Sequence, residues 1–335
     1  MHNHRTKKCC DINISLVTSS TILLKTEIEF KEMYQFCEDR WNHIDYVMKK
    51  VKKRGQDLYL ASSQLQDNEE VVSAAISESM YAISFASQRL KDDKVFIMKW
   101  IKKYPRLLQY VSDRLQDDID IVIASVEKIG FLLRYASDRL KDDYQIVSIA
   151  VRNNPHALLY ASKWFTSCKL IMMEAVKKDG TTLYYASDIL CDDKELVMGA
   201  LENSYTAFPF VSENLRDDEE VVMKAVIRNG YSFQFASQRL RSNKSFILEV
   251  VKYSIISLDF ISEEMKEDRD IAFASLENDG IGIDYLSNRF RCDRKLMVEG
   301  LIHQKITENG LFQNDKWNSH VQILFDYKSL NISLL

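Results

Sequence analysis

Proline is nearly absent from the 335-residue chain, with 3 residues, and glycine is scarce, with 9. So few helix breakers exclude a loop-rich or strand-and-turn architecture and point to helices joined by short turns. Net charge is only −4. That balance lacks the basic excess that phosphate backbones or anionic membranes require. No apolar run approaches the roughly 20 residues of a membrane-crossing helix. The basic start, His2 to Cys10, leads into an alternating stretch, Asp11 to Val17, which makes a poor secretion signal. The six cysteines (Cys9, Cys10, Cys37, Cys168, Cys191, Cys292) share no metal-ligand spacing, and His2-x-His4 is the only histidine cluster. They read as free thiols of a reducing compartment. Phosphate-cradling glycine loops, Cys-x-x-Cys pairs and a nucleophile elbow around any serine are also missing. The expectation is a non-enzyme without cofactor or metal, located in the cytoplasm, or in a host cytosol if the source is an intracellular microbe.

What the chain does contain is a period. The phrase Phe131-Leu-Leu-Arg-Tyr-Ala-Ser-Asp-Arg-Leu140 returns at a constant interval. Its serine falls at Ser62, Ser87, Ser112, Ser137, Ser162, Ser187, Ser212, Ser237, Ser262 and Ser287 without a slip. A fixed short period marks a solenoid, in which each unit buries its apolar face against its neighbours. The fold expected is all-α: an α-solenoid of about ten two-helix repeats with atypical helical caps. Residues 1–26 are expected to be irregular or disordered and 27–41 to form an N-terminal cap helix. The array should run over 42–304, and 305–335 should close its end.

Within a unit, two helices are predicted. In the segment 217–241, Asp217 and Glu220 stand at capping-box spacing, and Val221, Val222, Ala225 and Val226 share one face. Asn229-Gly230 should end that helix, with glycine taking the left-handed position. Tyr231 to Leu240 should form the second helix, with Phe233, Ala236 and Leu240 on one side. The joint slot holds Gly55, Gly130, Gly180, Gly230 and Gly280, or else Pro105 and Pro155.

Self-alignment separates shared duties from free positions. Leucine at Leu108, Leu133, Leu158 and Leu183 and alanine at Ala86, Ala136 and Ala186 form a stripe for close helix packing. The slot at Phe85, Tyr110, Tyr135, Tyr160 and Phe235 exchanges Phe and Tyr freely, so the ring matters and the hydroxyl does not. The serine is expected to be a small residue at a helix contact, its hydroxyl bonded to the carbonyl one turn earlier. Arg89, Arg114, Arg139, Arg239 and Arg289 stand beside the acidic turns and predict a ladder of exposed ion pairs along one edge.

The residues left free carry the functional expectation. They lie in two neighbouring rows whose identities vary, including Tyr59, Tyr81, Arg134, Leu159, Tyr184 and Tyr231. Exposed, these would form a partner-binding row; turned inward, they would staple repeats together. The expected partner is a protein engaged by a monomeric scaffold. A helical repeat reading RNA or DNA is the competing function, with Lys49, Lys50, Lys52, Lys53 and Arg54 as its best feature. That basic run also suits a helix C-terminus without any ligand.

The phrase Leu-x-Tyr-Ala-Ser-x-x-Leu-x-Asp-Asp-x-x-Ile-Val-x-x-Ala-Val-x-x-Asn/Asp-Gly resembles the repeats of the domain-of-unknown-function family numbered 4116. Residues 133–151, 183–201 and 233–251 carry most of it, and the resemblance extends over about 50–290. It breaks at Trp164-Phe165-Thr166-Ser167-Cys168 and Arg241-Ser242-Asn243, where the acidic turn is lost. The resemblance implies a helical array with nothing catalytic and no assigned activity. The first-helix phrase is also similar to leucine-rich variant repeats, without their proline-rich joint.

Overall fold

The computed structural model describes residues 40–278, 285–291, 293 and 295–296. The expected irregular start, most of the N-terminal cap helix, the closing segment 305–335, the joint at Gly280 and Cys9, Cys10, Cys37 and Cys292 lie outside them. Among the described residues there are helices and turns and no strand. The chain is an all-α repeat solenoid. It divides into two compact units, one ending at Lys163 and the other beginning at Trp164.

Each repeat has three helical pieces rather than two. In the first unit a long α-helix such as Tyr144–Asn153 leads into a 3-10 helix, Pro155–Tyr160. A single α-turn, such as Asp138–Lys141, then precedes the next long helix. The second unit repeats the order with Glu219–Arg228, Gly230–Phe235 and Gln238–Arg241. The expected second helix, Tyr231 to Leu240, is therefore broken. The break falls on the recurring Ala-Ser pair: Ala136 has φ −68° and ψ 158°, and Ser137 φ −62° and ψ 159°. An extended serine presents its N–H sideways, and all ten recurring serines give it to a main-chain carbonyl of the preceding repeat. Ser62 donates to Trp41, Ser137 to Gln116, Ser187 to Thr166 and Ser287 to Lys266, at 2.9–3.3 Å. At Ser87, Ser112, Ser137, Ser212 and Ser237 the hydroxyl accepts from the N–H three residues on, as Ser137 Oγ does from Leu140 at 3.3 Å. It is an N-cap, not a mid-helix hydroxyl bonded backwards.

The long helices are started by the second acid of each turn. Asp118, Asp143 and Asp218 accept from the N–H groups two and three residues on. Asn68 caps its helix in the same way, and Asn243 accepts from the N–H three residues on, where the acid is missing. The box expected between Asp217 and Glu220 is thus displaced by one residue. Asp218 is the cap, and Asp217 is free for another task.

Side chains from all three pieces meet in one core. Val221, Val222, Ala225 and Val226 of the long helix, Phe233 of the 3-10 helix, Ala236 at the break and Leu240 of the single turn are all buried. The apolar stripe read from the sequence is correct, although its residues belong to three backbone pieces. Long helices pack against long helices of the adjacent repeat and 3-10 helices against 3-10 helices, which gives each unit two sides.

The glycine joints are explained by crowding, not handedness. None of the described glycines lies at positive φ. A Cβ on Gly55, Gly130 or Gly180 would stand 2.1–2.3 Å from the carbonyl oxygen of Ala75, Ala150 or Ala200 in the next repeat's long helix. Met80, Pro105, Pro155, Tyr205 and Ile255 fill the same slot elsewhere, so the requirement is set joint by joint by how near the following helix comes.

Candidate functional site: an aromatic ribbon and a committed polar edge

The recurring polar residues are occupied by one another. At the edge made by the single turns, the first acid of a turn receives the next repeat's serine and arginine together. Asp117 accepts from Ser137 Oγ and from Arg139 Nε at 3.0 and 3.2 Å, while Arg139 Nη2 donates to the Asp117 main-chain oxygen at 2.7 Å. The same rung joins Asp67 to Ser87 and Arg89, Asp92 to Ser112 and Arg114, and, in the second unit, Asp217 to Ser237 and Arg239. The serine hydrogen bond, then the arginine, hold these four carboxylates below their ordinary range. The expected arginine ladder is present, with the recurring serine as a part of each rung.

Two rungs are missing in the second unit. Ser187 and Ser262 have buried hydroxyl oxygens with no hydrogen-bond partner. The positions of acid and arginine hold Ser167 and Ile189 in one case and Ser242 and Glu264 in the other. In both of these cases the acid and the arginine are absent together. At Ser212 the acid Asp192 remains, and Asn214 replaces the arginine at 3.3 Å.

Two further networks escaped the sequence reading. Lys94, Lys169, Lys194 and Lys244 each bridge two acids of the following repeat, as Lys194 does Asp218 and Glu220 at 2.8 Å. These acids raise the lysine pKa. The signal was available: a lysine stands just short of one repeat ahead of each capping aspartate involved. The residue closing the single turn also serves backbone. Gln66 Nε2 and Gln116 Nε2 donate to Leu58 and Leu108 carbonyls, and Lys91 Nζ to Ser84 at 2.7 Å. Burial lowers the Lys91 pKa. These donors satisfy carbonyls that the end of a 3-10 helix leaves open.

The varied row lies on the 3-10 side. Arg134 is exposed and Tyr59 half-buried. Tyr81 is 46 %, Leu159 59 %, Tyr184 64 % and Tyr231 53 % exposed. The rings are not free of structural duty, because each leans on the shared aromatic position of the next repeat. Tyr59 meets Phe85 at 5.7 Å between centroids, Tyr81 meets Tyr110 at 6.5 Å, Tyr184 meets Phe210 at 5.1 Å and Tyr231 meets Phe260 at 6.1 Å. Most are edge-on, the favoured geometry for aromatic pairs. Phe131 joins the set through Tyr160 at 5.9 Å. Staple and surface are the same residues: one part of each ring locks two repeats, and the rest faces outward.

In the first unit the ring pairs are Tyr59 with Phe85, Tyr81 with Tyr110 and Phe131 with Tyr160. Tyr135 donates its hydroxyl to Gln109 Oε1 at 3.0 Å. Arg134 lies over Tyr135 and Tyr160, 5.0 and 5.6 Å from their centroids. Burial, then Tyr81 and Tyr135, push the Tyr110 phenol up, so it stays protonated.

Among the described residues no group of three or more metal-ligating side chains comes together, and no helix is long and apolar enough to cross a membrane. Cys168 and Cys191 are free thiols. Burial, then Asp188, raises the Cys191 pKa, which disfavours the reactive thiolate.

A short-period repeat solenoid with a self-paired polar edge and a variable aromatic face defines the class. The profile of the Domain of unknown function (DUF4116) matches residues 43–91, 93–133, 118–166, 168–216 and 218–266. The chain belongs to that family. The longer matches each span two successive repeats, so the family unit is a pair. No curated protein and no solved structure matches the chain.

Proposed function

We propose that the protein is a non-catalytic, cytoplasmic scaffold that binds a protein partner along the aromatic ribbon of its 3-10 helices. The observation that carries this reading is the division of labour among the repeats. Serine, first acid and arginine close the ladder, the second acid caps, the leucines and alanines fill the core. The ribbon combines exposure and identities that change from repeat to repeat with large side chains, Tyr81, Leu159, Tyr184 and Tyr231, carried on equivalent 3-10 helices. Large aromatic and aliphatic groups anchored on one side and solvated on the other lose little side-chain entropy on binding, which suits them to protein recognition.

The test is affinity capture of partners with the wild type and with a triple variant, Tyr59→Ala, Leu159→Ala and Tyr184→Ala. Because Tyr59 and Tyr184 also staple repeats, some loss of melting temperature is expected, so affinity is compared per folded molecule. A fall of at least tenfold supports the ribbon. Unchanged affinity per folded molecule refutes it.

A further inference from the structure

Arginine has two fates in the first unit. On the ladder edge Arg89, Arg114 and Arg139 each grip a carboxylate. On the ribbon, Arg106 and Arg134 are exposed and form no ion pair. Arg134 lies over two tyrosine rings, 5.0 and 5.6 Å from their centroids, with no carboxylate on its N–H groups. From Tyr81 to Tyr160 the three outward positions of each 3-10 helix hold aromatic, neutral polar, aliphatic or basic residues and not one carboxylate. An otherwise slightly acidic chain thus keeps acid off this strip and places on it two guanidinium groups with no acidic partner, one of them over rings.

Resting on the scaffold reading above, we infer that the ribbon of the first unit binds an extended acidic peptide segment. Its carboxylates pair with Arg106 and Arg134, and its apolar side chains lie against Tyr81, Phe131 and Leu159. A planar guanidinium matches a carboxylate with two parallel hydrogen bonds. The two arginines belong to successive repeats, which pack on the order of 10 Å apart. An extended chain advances about 3.3 Å per residue with alternate side chains on one face, so carboxylates two or four residues apart, about 7–13 Å, bracket that spacing.

Single-stranded nucleic acid is the other ligand that basic and aromatic residues attract. The ring geometry disfavours it. Neighbouring rings stand at 86° for Tyr81 and Tyr110 and 69° for Phe131 and Tyr160, so they offer no run of parallel platforms for successive bases.

The experiment is selection of a random 12-residue peptide display library on the full chain. The most enriched peptides are then measured by fluorescence anisotropy on the wild type, on Arg106→Gln/Arg134→Gln and on Tyr81→Ala/Leu159→Ala. Arg106→Gln alone is included because its guanidinium contacts nothing that folding needs. The expected result is enrichment of Asp and Glu, with Kd at least tenfold weaker per folded molecule in the double glutamine variant and weaker at unchanged melting temperature in Arg106→Gln alone. Binding should also weaken between 0.05 and roughly 0.5 M salt, as screening demands. Peptides without acidic enrichment that lose affinity only in the Tyr81/Leu159 variant overturn the acidic assignment and leave the scaffold reading standing. Failure to select any peptide overturns both. Arginine-dependent binding of a mixed-sequence 20-mer RNA, with no peptide bound, transfers the strip to nucleic acid.

Discussion

Replacing glycine by alanine at four positions should give a graded series of stabilities set by what the new methyl group meets. At Gly180 it would sit 2.1 Å from the Ala200 carbonyl oxygen, 2.9 Å from the Ser204 nitrogen and 3.0 Å from the Ala200 carbonyl carbon. All three are backbone, and ordinary contact begins near 3.4 Å. The next repeat's helix must retreat by about 1 Å, which uncouples packing along the joint and costs about 1–3 kcal/mol. Gly130 meets Ala150 in the same way and should behave alike. Gly230 is different: the nearest atom is Ser254 Oγ, a hydroxyl that can rotate, although Ser254 Cβ follows at 2.8 Å. Gly230→Ala should therefore fall between. At Gly199, inside a long helix, the nearest atom is Val176 Cγ2 at 3.9 Å, and alanine should add about 1 kcal/mol through helix propensity. Calorimetric melts read the series. Gly180→Ala should lower Tm by roughly 2–12 °C, and Gly199→Ala should raise it by about 2–4 °C, on the size scaling for domains of this order. A Gly180→Ala protein as stable as the wild type, or less damaged than Gly199→Ala, would refute the close-approach account of the joints.

Three other outcomes follow from the polar edge. Ser137→Ala removes the cap of the single turn at Leu140 and the donor to Asp117, so it should fold but lose about 0.5–2 kcal/mol in denaturant titration; a neutral change would deny the hydroxyl a structural role. The rung carboxylates Asp67, Asp92, Asp117 and Asp217 titrate below their ordinary value when folded. Their stabilisation is complete above the unfolded pKa of about 4 and drains away as pH falls through the folded one. The Tm of the wild type should thus drop from pH 5 to 3 more steeply than that of an Arg89→Gln/Arg114→Gln/Arg139→Gln variant; equal slopes would mean the rungs do not couple to folding. Installing a missing rung with Ser167→Asp and Ile189→Arg gives the Ser187 hydroxyl its partner and should raise Tm by a degree or two, in keeping with roughly 0–1 kcal/mol for an exposed pair; a lower Tm would contradict the pattern seen at the complete rungs.

The period made the fold legible. Ten serines in register, the leucine and alanine slots and the breaker-poor composition sufficed for an all-α array, because each repeat restates its own core requirements. The arginine ladder was legible for the same reason: acids and arginines recur in step. The split of the second helix was not, since Phe233, Ala236 and Leu240 have helical spacing and periodicity cannot see an extended Ala-Ser break between them. The chemical hint was the Ser-Asp-Arg-Leu phrase, a capping residue ahead of a helix of one turn. The glycine joints were misassigned because a local rule, left-handed glycine at a helix end, was applied where the cause is the approach of the next repeat's long helix. Lys94 and its equivalents were missed for a related reason. Their acids lie one repeat away, beyond any local pattern. Of the ribbon, the sequence marked the variable positions, and the structure added that Tyr59, Tyr81, Tyr184 and Tyr231 staple and face outward at once.

The central claim is that the recurring residues build the array and the 3-10 face does its binding. Hydrogen–deuterium exchange of the full chain, with and without a captured partner or selected peptide, addresses it directly. The account predicts slowed exchange confined to the 3-10 segments Met80–Phe85, Pro105–Gln109, Gly130–Tyr135 and Pro155–Tyr160, with the serine-capped turns Asp113–Gln116 and Asp138–Lys141 unchanged. Protection centred on those turns and their Asp-Ser-Arg rungs, with the 3-10 segments unaffected, would contradict it.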